Sequence, residues 1–115
     1  MKDYSAMSDF EINKQVAIIQ GHKCYYDNGS YTNGYNKISV IVKGNGIIGQ
    51  FNPCNNPDDA WPIILEHHIA VVPYRHSLPQ AWPTAFGVIS KFTTEDRNPL
   101  RAAMIVYLQM MEQKS

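Results

Sequence analysis

Apolar residues recur along this chain of 115 residues at two different spacings, which separate predicted helices from predicted strands. Apolar positions three and four residues apart are typical of one buried helix face, and short runs rich in Val and Ile are typical of strands. Helices are predicted at residues 8–20, 57–68 and 99–112, and strands at residues 22–26, 38–42, 47–51, 69–72 and 84–92. This order, α-β-β-β-α-β-β-α, predicts an α+β domain with a small, mostly antiparallel sheet and three helices, which is compatible with an α/β/α sandwich.

Each predicted helix begins at a residue that can cap its free backbone N–H groups. Ser8 and Glu11 have the spacing of a capping box, in which each side chain bonds the other residue's N–H. Asn56-Pro57 and Asn98-Pro99 each combine an N-cap side chain with a proline at the first helical position, where the missing N–H costs no hydrogen bond. Gly21 predicts the end of the first helix.

The apolar stripes predict which side of each helix faces the core. Ile12, Val16 and Ile19 form the predicted inner face of the first helix. The last helix has apolar residues beyond a single stripe. It is therefore predicted either to be packed on several sides or to meet a second copy of the chain in a homodimer.

Residues 51–68 hold the most specific string in the sequence. Asp58 and Asp59 follow the predicted cap, where negative charge favours the positive end of the helix dipole. Helical spacing in the following turns predicts that Trp61 is packed in the core, so that Trp61→Ala would lower the free energy of unfolding by about 3–5 kcal/mol. The residues at this spacing are Trp61, Ile64, Leu65 and His68.

The second half of the chain is less regular in pattern. Three prolines, at positions 73, 79 and 83, predict an irregular segment over residues 73–83. A strand is predicted to follow, and residues 93–97 are predicted to form a polar turn. The inward-facing residues of that strand are predicted to be Ala85, Val88 and Phe92.

Composition and charge exclude several functional classes. Ten basic and ten acidic residues give a formal net charge of zero, so we expect no bulk electrostatic binding of nucleic acid or of anionic membranes. The length fits one domain spanning residues 1–115. No apolar run has transmembrane length, and the first residues lack the apolar region of a secretory signal. We therefore expect a cytoplasmic protein in which Cys24 and Cys54 are reduced thiols.

Two segments are candidate ligand-binding loops. The tyrosines within residues 25–35 can stack on a flat ligand, but packing on a sheet explains them equally well. The asparagines of residues 52–56 precede a helix N-terminus and can hold a polar ligand there, or they can simply cap and turn the backbone.

Arg101 is a further candidate because it stands in the first turn of the last helix, where the helix dipole disfavours a cation. It is predicted either to contact a ligand or to form an ion pair with Asp58, Asp59, Glu95 or Asp96. Together, the candidate ligand-binding residues are Tyr25, Tyr31, Tyr35, Asn52, Asn55, Asn56, Trp61 and Arg101.

No residue pattern indicates catalysis or metal binding. His67, His68 and His76 with Cys54 match no structural zinc spacing, and neighbouring residues on a helix point about 100° apart. A nucleophile formed by Cys54 would require the fold to bring a histidine close. The sequence also lacks the glycine-rich phosphate loops and the nucleophile elbow of known enzyme classes. We expect no enzyme activity, no cofactor and no metal.

Three strings, spread in order along the chain, carry a resemblance to a known family. They are SDFEINK at residues 8–14, FNPCNNPDDAWPII at residues 51–64 and NPLRAAM at residues 98–104. They resemble the NinX-like family of lambdoid-phage and prophage proteins, which come from accessory gene regions. More loosely, the aspartate-rich helix start and the C-terminal Arg-Ala-Ala helix are similar to small phage domains described as α/β/α sandwiches.

The resemblance implies a phage or prophage accessory protein but carries no biochemical function with it. Small size and the lack of a catalytic pattern favour a non-enzymatic protein that binds a host or phage macromolecule, with an unknown protein as partner, in the bacterial host cytoplasm. The alternative is a small-molecule-binding domain that sequesters a nucleotide-like ligand. That hypothesis predicts a concave site where the tyrosine-rich segment, the asparagine loop and Arg101 meet.

Overall fold

Residues 3–24, 31–33, 37–43, 48–84 and 93–114 are described by a computed structural model of the chain. Within them, the helices are a short 3-10 helix (Tyr4–Ala6), α1 (Asp9–Gln20), α2 (Pro57–Glu66) and α3 (Pro99–Lys114). The strands are β1 (Lys23–Cys24), β2 (Val40–Lys43), β3 (Ile48–Phe51), β4 (Ile69–Val72), β5 (Gln80–Pro83) and β6 (Thr94–Glu95).

The strands form two antiparallel sheets, each of three strands in the described part of the chain. The first has the order β1-β2-β3 and the second the order β4-β5-β6. The predicted α+β class and the order of helices and strands are confirmed, while two small sheets replace the single sheet that was expected.

Helix α1 begins and ends at the predicted residues. The hydroxyl of Ser8 accepts a hydrogen bond from the Glu11 N–H (3.1 Å), which forms one half of the predicted capping box. Gly21 ends the helix in the left-handed conformation, with φ at 82°, which glycine adopts at little cost. Ile12 and Val16 are buried as predicted, but Ile19 is 43% exposed, so its predicted place on the inner face is wrong.

Helices α2 and α3 begin in the same way. The side-chain oxygen of Asn56 accepts from the Asp58 N–H (3.0 Å), and that of Asn98 accepts from the Leu100 N–H (3.0 Å). In both helices a proline follows the cap at a position where its missing N–H leaves no bond unmade.

Helix α3 lies at the centre of the fold. Residues 101–108 are all buried, because α1, α2 and the three strands of the second sheet pack around this helix. The apolar residues beyond a single stripe are thus accounted for by packing within one chain. The homodimer through this helix stays a prediction.

The predicted irregular segment over residues 73–83 is wrong at its end, because residues 80–83 form β5. Pro83 is tolerated in β5 because it lies opposite Ile69 in a pair of residues that are not hydrogen-bonded to each other. The missing N–H of the proline therefore removes no hydrogen bond to β4. The predicted polar turn over residues 93–97 is also wrong in part, since it contains the short strand β6.

The predicted strand over residues 84–92 falls almost entirely outside the described residues, and so do its predicted inward residues Ala85, Val88 and Phe92. Among the helices that are described, none combines the length and the apolar content needed to cross a membrane.

Candidate binding groove

Helix α2 has one buried face and one face with exposed apolar side chains. Ala60, Ile63 and Ile64 are buried, and α2 packs against α3. Trp61 and Leu65, one turn apart, are 56% and 55% exposed. The prediction that Trp61 is packed in the core is therefore wrong.

Two stripes of apolar residues on α2, offset from each other by one residue, could each have been buried, and the charge near each stripe explains which one is. A stripe through Trp61 and Leu65 also passes through Asp58, because these residues are three and seven positions apart. Burying that face would bury the Asp58 carboxylate without a partner, which is costly. The stripe through Ala60, Ile63 and Ile64 is buried instead. Asp59 borders this stripe, but it stays half-buried and accepts a hydrogen bond from the Asn52 N–H (2.9 Å).

A cavity of about 340 Å³ lies beside the exposed face of α2. Side chains of α2 form one part of its wall and side chains of β4 form another. We call this feature the α2–β4 groove. Its lining residues are Trp61, Ile64, Leu65, His68, Ile69, Val71 and Thr84.

The connection between α2 and β4 is tight and held by main-chain bonds. His68 has a positive φ of 53°, a conformation that non-glycine residues seldom adopt. Its carbonyl accepts from both the N–H and the hydroxyl of Thr84, at 3.1 and 2.8 Å. The angle at which β4 leaves α2 is therefore fixed, which gives the groove a defined shape.

Helix α2 carries exposed acidic residues near both of its ends. Asp58, in its first turn, and Glu66, at its last position, are both exposed. The His67 imidazole lies near Glu66, with 4.0 Å between His67 Nε2 and a Glu66 carboxylate oxygen. The groove is thus apolar inside, and Asp58 lies near one end of its helical wall. Glu66 lies on the side of α2 that faces His67 and Tyr107.

A second polar feature lies where the starts of α1 and α3 meet residues 52–56, and we call it the polar junction. Its centre is Arg101, which is only 9% exposed. The guanidinium donates to the Asp9 carboxylate from Nη1 (2.7 Å) and to the Asp96 carboxylate from Nε (3.0 Å). Nη2 donates to the carbonyls of Ser5 (3.1 Å) and Met7 (2.7 Å).

These contacts set the charge state of Arg101. Burial alone would lower its pKa, but the hydrogen bonds and charges of Asp9 and Asp96 outweigh burial and raise the pKa. The predicted ion pair of Arg101 is confirmed for Asp96, and Asp9 is a partner that the sequence did not indicate.

The asparagines of residues 52–56 bond mainly within the protein. The Asn55 amide donates to Asp9 (3.1 Å) and to Asn52 (3.1 Å). The Asn98 amide donates to the Asn55 side chain (2.9 Å) and to the Cys54 carbonyl (2.7 Å). The interpretation that these side chains cap and turn the backbone is supported, because the polar junction uses them to join three segments.

The family described as bacteriophage P22 NinX matches residues 3–111, nearly the whole chain. The chain belongs to the NinX family. This confirms the resemblance carried by the three strings, and it makes the chain a phage accessory protein. No curated protein and no solved structure matches the chain.

The NinX match includes both the α2–β4 groove and the polar junction. Of the eight residues predicted to bind a ligand, the structure places Trp61 in the groove and places Asn52, Asn55 and Arg101 in the junction. Asn56 caps α2. The described candidates therefore do not converge on one site, since Tyr31 lies in neither the groove nor the polar junction.

Of the three candidate tyrosines in this NinX-family chain, Tyr31 lies among the described residues. Tyr31 is half-buried, and its hydroxyl donates to the His22 carbonyl (2.6 Å). Burial raises the pKa of the Tyr31 phenol. Tyr25 and Tyr35 lie outside the described residues.

Cys54 is fully buried in the polar junction. Burial raises the pKa of its thiol well above the ordinary range, and the Asp9 charge raises it further. The thiolate, which is the nucleophilic form, is therefore disfavoured. Among the described residues, no group of three or more His, Cys, Asp or Glu side chains could hold a metal ion.

Sequence reasoning missed most of the groove. Leu65 was assigned to the core, and Val71 and Thr84 come from parts of the chain that sequence spacing does not connect with α2. One signal was present in the sequence: Asp58 lies on the same helical face as Trp61 and Leu65, and a carboxylate on a stripe indicates that the stripe faces solvent.

Proposed function

We propose that this NinX-family chain acts in the bacterial host cytoplasm by binding a protein of the host or of the phage, without catalysing a reaction. The observation that carries the proposal is the exposure of Trp61 and Leu65 on one face of α2, where they line the α2–β4 groove. Exposed aromatic and aliphatic side chains around a concavity are typical of binding surfaces.

The position of Trp61 suits a dominant contact in an interface. Tryptophan is enriched among the few residues that carry most of the binding free energy, because it buries a large area and loses little rotamer freedom. The backbone beneath it is held by the Asn56 cap and by the buried residues Ala60 and Ile63. Little ordering of α2 is then required on binding, which favours affinity.

The charges around the groove favour a partner with basic residues. Asp58 lies on the same helical face as Trp61 and Leu65, near one end of the apolar surface of α2. A partner segment with Lys or Arg beside its apolar residues would meet opposite charge at that end. Such complementarity mainly raises the rate of association, so binding should slow as salt concentration increases.

Site-specific photo-crosslinking in phage-infected cells tests the proposal. A benzophenone amino acid replaces Trp61 in one strain and Ile18 in a matched control strain, since Ile18 is an exposed apolar residue of another helix. We expect a crosslinked protein at position 61 that is absent at position 18. That protein, expressed and purified, should bind the wild-type chain at least about thirtyfold more tightly than a Trp61→Ala/Leu65→Ala variant.

Two results would contradict the proposal. One is a position-61 crosslink to nucleic acid only. The other is a set of crosslinked proteins that is the same at both positions, or whose purified members bind the wild-type chain and the double variant equally.

A further inference from the structure

Strand β4 forms one edge of the second sheet, and its register shows where its main-chain groups point. The His68 carbonyl accepts from the Thr84 N–H, so these residues form a hydrogen-bonded pair. Bonded and non-bonded pairs alternate along an antiparallel ladder, which makes Ala70 part of the next bonded pair. The N–H and C=O groups of Ile69 and Val71 therefore point away from β5.

These outward groups have no partner within the part of the chain that the structure describes. No main-chain hydrogen bond on that side is made by Ile69 or Val71. The same two residues line the α2–β4 groove. Within the described residues, the groove is thus bordered both by apolar side chains and by two unpaired donors and two unpaired acceptors of an edge strand.

The composition of β4 sets it apart from the other edge strands that are described. The strands β1, β3 and β6 contain Lys23, Gln50 and Glu95 respectively, whereas β4 is Ile-Ala-Val-Val. Polar and charged residues on edge strands discourage pairing with other chains. An apolar edge without such protection is typical of a strand that pairs with a partner.

We infer that the α2–β4 groove takes an extended segment of the partner protein, which adds a strand to the free edge of β4. This inference rests on the proposed function and specifies how the partner is recognised. Main-chain bonds to Ile69 and Val71 supply affinity, and alternate side chains of the segment contact Trp61 and Leu65. The segment has apolar residues at alternate positions and a basic residue at the end that lies near Asp58.

Two other occupants fit the observations less well. A partner helix satisfies its own main-chain groups internally, so it would leave the β4 edge unpaired and cover it from water. A second copy of this chain, paired β4 to β4, would bring the Asp58 carboxylates of both copies into one interface, and like charges oppose such an interface.

Amide hydrogen exchange measured by NMR on the full chain tests the free edge directly. The amide of Val71 should exchange much faster than those of Ala70 and Val72, because only the Val71 N–H points to the open side. Slow exchange of Val71 in dilute protein would overturn the inference. Protection of Val71 that grows with protein concentration would instead assign the edge to a second copy.

Peptide selection then tests the occupant. The probe is a displayed library of nine-residue peptides with Val, Ile, Leu, Phe or Tyr at alternate positions and random residues between, selected on the wild-type chain and depleted on Leu65→Glu. We expect enriched peptides that slow the exchange of the Val71 amide. Methylation of alternate peptide nitrogens, which blocks strand pairing but keeps the side chains, should weaken binding about tenfold or more.

A matched pair of variants separates the outcomes. Val71→Pro removes the outward N–H without touching the bonds to β5, whereas Val71→Thr keeps that N–H. Equal binding of the peptides to both variants, or after N-methylation, would overturn strand addition while leaving the groove as a binding surface. Failure to enrich any peptide would overturn the inference, and the crosslinking experiment would then decide separately whether the protein binds a partner at all.

Discussion

At the scale of single residues, Asn13 joins three parts of the chain from within the core. It is fully buried on α1. Its amide nitrogen donates to the Ile38 carbonyl (3.1 Å) and to the Asn52 side chain (2.8 Å), and its oxygen accepts from the Cys54 N–H (3.0 Å). Every polar atom of this side chain is therefore bonded, so its burial carries no unsatisfied group.

Asn13→Asp is expected to lower the free energy of unfolding by about 2–4 kcal/mol. The substitution keeps the shape but places an oxygen opposite the acceptors on Ile38 and Asn52. Urea unfolding of the variant measures the loss. Gln15→Glu, on the same helix, is the control, because it makes the same amide-to-carboxylate change on a half-buried residue. An equally large loss of unfolding free energy in that variant would contradict the role of the Asn13 hydrogen bonds in stability.

Arg101→Met should lower the free energy of unfolding by about 3–5 kcal/mol, because it leaves two carboxylates and two carbonyls of the polar junction without their donor. Arg101→Lys should recover only part of this, since a single ammonium cannot reach the acceptors that the planar guanidinium spans. Thermal and urea unfolding measure both variants. The exposed neighbour Arg97 provides the control, and Arg97→Met should change stability by less than about 0.5 kcal/mol.

At the scale of elements, the starts of helices could be predicted from sequence and the direction that a helix faces could not. The caps at Ser8, Asn56 and Asn98 depend on atoms within three residues of the cap, so the sequence contains all the information needed. The face of α2 depends on its packing against α3, which comes after residue 98. The amphipathic pattern of α2 allowed two neighbouring stripes, and tertiary packing decided between them.

The α2–β4 groove could not be predicted for the same reason. Its wall combines Leu65 and Val71 with Thr84, and only the pairing of β4 with β5 brings Thr84 to the His68 turn. The strand β5 was not predicted because of the prolines that suggested an irregular segment. Pro79 directly precedes this strand, and Pro83 is its last residue. Whether a proline is tolerated depends on which ladder position it occupies, and that position is a property of the sheet.

The orientation of α2 gives a direct test by stability. Trp61→Ala should lower the free energy of unfolding by less than about 1 kcal/mol, because the side chain is more than half exposed. Ile63→Ala, two residues away and 2% exposed, should cost about 2–4 kcal/mol. Chemical denaturation of the two variants compares the two faces, and a larger loss for Trp61→Ala would place the tryptophan in the core after all.

At the scale of the whole molecule, residues near the two ends of the described chain are tied together. The hydroxyl of Tyr4, in the 3-10 helix, donates to the Glu112 carboxylate on α3 (2.9 Å). Burial, together with this hydrogen bond and the Glu112 charge, raises the pKa of Tyr4 from 10.0 to about 12. The folded state therefore holds the phenol in its neutral form.

This shift predicts a loss of stability in alkaline solution. Well below pH 10, Tyr4 is neutral in both the folded and the unfolded state, and its contribution to the free energy of unfolding is fully present. Between pH 10 and 12 the unfolded chain ionises first, so the wild-type chain should lose about 2 kcal/mol more than Tyr4→Phe between pH 9 and about pH 11.5. Urea unfolding across this range measures the difference, and parallel curves for the two proteins would contradict the assigned pKa.

The place of α3 in the sequence also decides when the protein can fold during its synthesis. The inner faces of α1 and α2 and the second sheet share one partner, the buried segment 101–108. Until that segment has left the ribosome, these apolar faces have no common surface on which to pack. The packing of these faces is therefore completed late in synthesis, and in the interval before that step the nascent chain exposes the kind of apolar surface that molecular chaperones bind.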